Sequence, residues 1–195
     1  PFEIPLLEVM AELRHLVVEQ GAGHIPISIK SAISSIATYG NPWKEEAAGR
    51  VKWLHSTGIT PAADDNWEII HIFLGCLSGY DRRARKTAEA AMRILQKAHI
   101  PFKILADEEV CCGDTVHRVG DFTTAKKVKE INKANILKNK IKKMYVLSPH
   151  CFSTFKNDFQ AEEMKDVQIY PLLELIYELI NNSTIKLTGN IKKKV

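Results

Sequence analysis

Four cysteines carry the chemistry that this sequence could perform: Cys76, Cys111, Cys112 and Cys151. Thiolates are soft ligands that select zinc or iron–sulfur clusters, and they are also redox-active groups. Between Cys76 and Cys111 lie 34 residues, and between Cys112 and Cys151 lie 38. Structural zinc sites favour cysteine pairs two to four residues apart, and no such pair exists here. Thiolate-only ligation of an iron–sulfur cluster is compatible with this set. The plain alternative is packing, since free cysteine behaves as a small buried hydrophobe.

Thiols so far apart in sequence need a scaffold that gathers them. From Trp67 onward the pattern alternates between strand and helix. Strands are predicted at Glu68–Leu74, Phe102–Leu105, Met144–Leu147 and Val167–Tyr170. Helices are predicted at Arg82–Ala98, where Ala84, Ala88, Ala91, Ile94 and Leu95 face inward, at Phe122–Asn139, and at Pro171–Asn181, with a short helix or turn over Cys151–Phe159. Upstream the chain reads as helix. Leu6, Val9, Met10, Leu13, Leu16 and Val17 recur on one face of a first helix closed by Gly21 and Gly23. Ser28–Ile36 forms a second, stopped by the turn Gly40-Asn41-Pro42-Trp43, and Lys44–Leu54 a third. The expectation is an α/β, Rossmann-like layered domain with a mostly parallel sheet, preceded by a helical N-terminal segment. The boundary falls in polar residues 59–66, giving a helical segment at 1–60 and a cysteine-rich unit at 61–195.

In a parallel sheet the loops after successive strands emerge at one edge, where ligands of open α/β sheets bind. Cys76, the Cys111–Cys112 pair and Cys151 each follow a predicted strand, so all four thiols share that edge. Gly75 and Gly79 flank Cys76, and Gly113 follows the pair. Glycine permits close backbone approach and can turn N–H groups toward cluster sulfur. Pro149 stiffens the approach to Cys151, and helices starting near Cys76 and Cys151 would aim positive dipole ends at an anionic centre. His150 and His117 are candidate donors to the site, and Asp114 and Arg118 a candidate ion pair.

Composition narrows the class. The chain has 195 residues, 45% apolar and 26% charged, as in ordinary globular proteins. The longest apolar stretches, Ile69–Gly75 and Pro171–Ile180, fall short of the roughly 18–20 residues of a membrane span. No secretory signal pattern opens the chain, so the reading is cytoplasmic, or on the cytoplasmic face of a membrane complex. The net charge of +4 is concentrated in Lys126–Lys143 and Lys192–Lys194. Aromatic residues do not interleave with these runs, and nucleic-acid binding is not supported.

The words around the thiols resemble a known family, the heterodisulfide-reductase-related iron–sulfur oxidoreductases. They are Phe73-Leu74-Gly75-Cys76, Glu109-Val110-Cys111-Cys112-Gly113-Asp114, Ser148-Pro149-His150-Cys151-Phe152 and Phe155-Lys156-Asn157-Asp158-Phe159. Gly40-Asn41-Pro42-Trp43 with Arg50 and Trp53 resembles the segment before that family's cysteine-rich CCG domain. The resemblance includes the glycolate oxidase and glycerol-3-phosphate dehydrogenase iron–sulfur subunits. It implies an iron–sulfur cluster, [4Fe–4S] with four thiols, held by Cys76, Cys111, Cys112 and Cys151, with Gly75, Gly113, Ser148, Pro149 and His150 around it. It implies electron relay between a flavoprotein or ferredoxin-type cluster and a disulfide or quinone acceptor, with peripheral association with a membrane complex. Ser148 departs from the pattern, standing where the family often has a further cysteine. The resemblance also implies a ferredoxin-like module upstream of Pro1 and a second CCG domain downstream, this piece being inactive alone. Three other readings stand beside it: a zinc-stabilised interaction domain, a flavodoxin-like module and a Cys–His enzyme using Cys151 beside His150. The Gly75–Gly79 loop matches neither phosphate-binding fingerprint, which counts against the second of these.

Overall fold

The computed structural model describes residues 4–63, 69–159 and 164–189. Pro1, Glu68 at the predicted strand start and the Lys192–Lys194 run lie outside the described residues. Four strands, β1 (Ile70–Phe73), β2 (Phe102–Ile104), β3 (Lys143–Val146) and β4 (Gln168–Pro171), form one sheet in the order β2-β1-β3-β4. Every pairing is parallel, with His71 opposite Lys103 on one side and Met144 on the other. The predicted α/β layering with a parallel sheet and a helical N-terminal segment is therefore present, each strand shifted by a residue or so.

Strand pleating divides the apolar residues between two faces. Ile72, Phe102 and Tyr145 pack with Ala88, Met92 and Leu95 of α5 (Arg82–Lys97) and Leu172 and Leu179 of α9 (Leu172–Asn181). Phe73, Met144 and Val146 pack on the opposite face with Ile136 of α7 (Phe122–Lys138) and Phe155 of α8 (Pro149–Asp158). Helix starts are set locally. Asp81 accepts from the Arg83 and Ala84 N–H groups, and Asp121 accepts from that of Thr124, satisfying donors that the first turn leaves free.

Upstream the first helix forms as expected but packs by its other face, and one expected helix fails. The apolar stripe of α1 (Leu6–Glu19) does not enter a core: α1 buries no residue, and Leu13 is 50% exposed. The other face docks instead. His15 stacks on Phe122 at 4.4 Å and bonds the Gly120 carbonyl at 3.1 Å, while Glu19 accepts from the Thr123 N–H. Backbone groups in the turn before α7 thus outbid apolar burial. The helix predicted over Lys44–Leu54 is reduced to α3 (Gly49–Lys52) and a 3₁₀ turn, Trp53–Ser56. Here the Asn41 carboxamide accepts from Trp43 N–H and donates to the Glu45 carbonyl, and Ser35 accepts from Lys44 N–H. Side chains that bond the backbone in this way compete with helix formation. The second helix, α2 (Ile27–Tyr39), ends at Gly40 in the left-handed region.

Candidate metal centre

The sheet order reverses between β1 and β3: the chain leaves β1 for β2 on one side, then returns past β1 to build β3. Ligands of open parallel sheets bind at such a switch point, beyond the carboxyl ends of its strands. Cys76 follows β1 in α4 (Gly75–Tyr80). Cys151 follows β3, in the first turn of α8 and not in a loop. Pro149 accounts for this, since its fixed φ suits the first helical position. Cys111 and Cys112 lie between the turn after β2 and α6 (Asp114–Arg118).

The four thiols are neighbours in succession. The Cys76 and Cys111 sulfurs are 3.8 Å apart, and Cys112 packs in one buried cluster with Cys151. Cys111, Cys112 and Cys151 are buried and Cys76 half-buried. The backbone N–H of Gly113 acts to lower the Cys111 thiol, and that of Asp114 the Cys112 thiol. Ser148 does not cap α8 with its side chain, and its hydroxyl acts to lower the Cys151 thiol. Hydrogen bonding to Cys111, partly offset by Cys151 and reinforced by burial, pushes Cys112 up to about 12. Cys151 is held well above the ordinary thiol range by its bond with Cys112, then by burial. For Cys111 the bond from Cys112 acts downward, but Cys76 and burial outweigh it. A metal bound by these sulfurs as thiolates would displace their protons.

This arrangement has a bearing on nuclearity. Among the described residues, no three His, Cys, Asp or Glu side chains are placed to hold a single metal ion. A polynuclear cluster offers a separate iron to each thiolate, so it does not require three of these side chains to meet on one ion.

The turns that carry Cys76 and Cys111 are anchored from behind. The fully buried Asn132 of α7 donates to the Val110 and Cys111 carbonyls and accepts from the Val110 N–H. The Cys111 N–H donates to the Gly40 carbonyl at 2.7 Å, tying the upstream helical segment to the thiols. Glu109 is buried to 1% exposure. It accepts from Leu74 N–H at 2.9 Å, Gly75 N–H at 2.7 Å and Arg50 Nη1 at 2.9 Å. Burial pushes its carboxyl up, while Arg50 and the two N–H groups pull it down. Three donors converging on two oxygens match the acceptor-only carboxylate, so Glu109 is ionised here.

Gly75 and Gly113 sit in the left-handed region, at φ 76° and 93°. Gly75 allows close approach to Cys151 but gives its N–H to Glu109 and not to a sulfur; the Gly113 N–H acts on the Cys111 thiol. Pro149 and His150 are exposed on the outer side of α8, where His150 lies 3.5 Å from Asp114. Arg118 pairs with Asp114 at 2.8 Å, and His117 stacks on Phe122, away from the thiols. Sequence reasoning passed over Glu109, Asn132 and the role of Arg50. The one available signal was Glu109 and Arg50 inside the quoted words, with no indication of burial.

Comparison with known proteins gives the same address. The family model described as "CCG: Cysteine-rich domain" matches residues 70–156. The chain is 28% identical over 178 residues to the EtfAB:quinone oxidoreductase of Syntrophomonas wolfei subsp. wolfei, covering 89% of this chain and 24% of that protein. It is 27% identical over 180 residues to a probable iron–sulfur-binding oxidoreductase, FadF, of Bacillus subtilis, covering 89% and 25%. It is 28% identical over 199 residues to a subunit of the dihydromethanophenazine:CoB–CoM heterodisulfide reductase of Methanosarcina mazei, covering 98% and 46%. The chain thus spans between a quarter and a half of the length of these curated relatives. No solved structure matches. Residues 70–156, which hold all four thiols, match the cysteine-rich CCG domain, and the chain is similar to a heterodisulfide reductase subunit and to iron–sulfur oxidoreductases.

Proposed function

We propose that this domain binds an iron–sulfur cluster through Cys76, Cys111, Cys112 and Cys151 and relays electrons as part of an oxidoreductase. The observation that carries the reading is convergence: thiols from three separate connections meet at the switch point of a parallel sheet, with the Cys76 and Cys111 sulfurs 3.8 Å apart. With four thiols the cluster is [4Fe–4S]. When bound, it supplies a reversible one-electron couple.

The chain's own residues do the rest. The four sulfurs hold the centre, and the Gly113 and Asp114 N–H groups offset thiolate charge. The α8 N-terminus points toward Cys151 and adds positive potential there. Ser148 supports Cys151 through its hydroxyl and not as a fifth ligand. Gly75 keeps the backbone close, and burial of three thiols keeps water away. Residues 1–60 act as a helical buttress to the cysteine-rich unit 61–195, through Arg50 and the Gly40 carbonyl.

The relatives named as oxidoreductases, one acting with EtfAB and a quinone and one on a heterodisulfide, support a role between a flavoprotein or ferredoxin-type donor and a quinone or disulfide acceptor. No described helix is long and apolar enough to cross a membrane. A place on the cytoplasmic side, peripheral to a membrane complex, fits that role.

Iron and acid-labile sulfide content, with an absorption spectrum on protein purified without oxygen, tests the proposal. About four iron and four sulfide per chain with a broad band near ~400 nm is the expected result. Zinc in colourless protein, or failure to take up iron and sulfide on reconstitution, would overturn it.

A further inference from the structure

The Arg50–Glu109 pair lies behind the Cys76 and Cys111 turns, and the electron-relay reading gives Arg50 only a structural part. Both side chains are almost wholly buried, at 1% and 0% exposure, with Nη1 and Oε1 2.9 Å apart. Glu109 precedes Cys111 by two positions, and its two oxygens take the N–H groups of Leu74 and Gly75, immediately before Cys76. One carboxylate therefore joins the Cys76 turn to the Cys111–Cys112 turn. Arg50 arrives from the upstream segment. Its guanidinium lies 5.1 Å from the Tyr80 ring centre, and its side chain fills the space a Cβ on Gly79 would need. Arg50 Nε has no hydrogen-bond partner. Buried pairs of this kind are costly relative to apolar packing, so a role beyond stability is worth seeking.

We propose that Arg50 and Glu109 are positioning residues that set the electrostatic balance of the thiol site: the pair is neutral as a unit, and each partner cancels the field of the other on the centre held by Cys76, Cys111, Cys112 and Cys151. The inference rests on the iron–sulfur reading. Adding an electron to such a centre adds negative charge, which a nearby uncompensated cation favours and an uncompensated anion opposes; low dielectric makes both effects large. Removing Glu109's charge leaves Arg50 as a buried cation beside the site. Removing Arg50's charge leaves Glu109 as a buried anion. The two changes act on the reduction potential with opposite sign, and making both together cancels them.

The test uses the full chain reconstituted with iron and sulfide, with iron content measured for every variant and the potential followed by redox titration. Glu109→Gln, which keeps an acceptor for one N–H, shifts the potential upward. Arg50→Met shifts it downward. The double variant returns close to the wild-type value, and Glu109→Asp and Arg50→Lys, which keep the charges, move it less than their neutral counterparts. Where Glu109→Gln does not load, Arg50→Met against Arg50→Lys still decides the matter. Shifts of the same sign, or wild-type potentials in variants that carry full iron, overturn the inference and leave the cluster reading standing. Failure of the wild-type chain itself to load iron and sulfide overturns the cluster reading instead.

Discussion

A Cβ placed on Gly75 would lie 3.2 Å from the sulfur of Cys151, a residue delivered by a different strand. The backbone at Gly75 also has φ 76°, which costs an L-residue about 1–2 kcal/mol. Gly75→Ala is therefore expected to lower stability by about that amount and to displace Cys151. Urea unfolding and iron per chain measure the two effects. An alanine variant with unchanged stability and full iron would show that the close approach is not required.

Cys112 adjoins Cys111 in sequence and packs in one buried cluster with Cys151, so its loss breaks the thiol set in the middle. Cys112→Ser is expected to lose most of its iron. Ser148→Ala removes only a hydroxyl that acts on the Cys151 thiol and is expected to keep nearly all of it. Equal iron retention in both variants would refute the ligand assignment.

Asn132 makes three hydrogen bonds to the Val110–Cys111 backbone from a fully buried position. Asn132→Ala strands these groups, each orphan costing about 1–3 kcal/mol. The expected result is a drop in urea midpoint together with lower iron retention, whereas Asn135→Ala, at a less buried bond to the Glu108 carbonyl, costs less.

His71 gives a pH dependence away from the thiols. Burial, then the charge of Lys103, hold its imidazole below the usual 6.5 against an opposing backbone contribution from Ile69, and its Nδ1 has no hydrogen-bond partner among the described residues. Between the folded value and 6.5 the unfolded chain binds more protons, so stability rises with pH across that window. The stabilisation is whole above 6.5 and is lost as pH falls through the folded value. His71→Val should flatten the stability profile on this acid side. Parallel profiles for variant and wild type, measured by urea unfolding, would count against a buried neutral imidazole.

Leu13 tests the upstream packing. It is half exposed on a helix that buries none of its residues. Leu13→Ser should therefore change stability by less than about 0.5 kcal/mol, the range of ordinary surface substitutions.

The sheet and the convergence of the thiols were legible because both are local signals propagated by topology. The Ile70–Phe73 run reads as a buried strand, and a parallel arrangement then fixes where Cys76, Cys111–Cys112 and Cys151 emerge. What covers an apolar stripe is not local. The spacing of Leu6, Met10 and Leu13 marks one face of α1, but the docking face was chosen by His15 and Glu19 finding backbone partners near Gly120 and Thr123. Lys44–Leu54 failed because Asn41 and Ser35 capture backbone groups that a helix would use. Glu109 and Arg50 were opaque for a further reason: charged residues read as surface, and only the assembled fold places both in the interior.

The strand order also governs when the site can exist. β3 lies beside β1, so the sulfur of Cys151 reaches its companions only after the chain has crossed from β2 and β3 has paired with β1. Such long-range pairing comes late in folding. Until β3 pairs, a growing polypeptide can gather at most Cys76, Cys111 and Cys112, whose strands β1 and β2 are neighbours, and never the complete set of four. Cofactor insertion is thereby deferred to the finished protein, and the sheet acts as a clock for its own maturation.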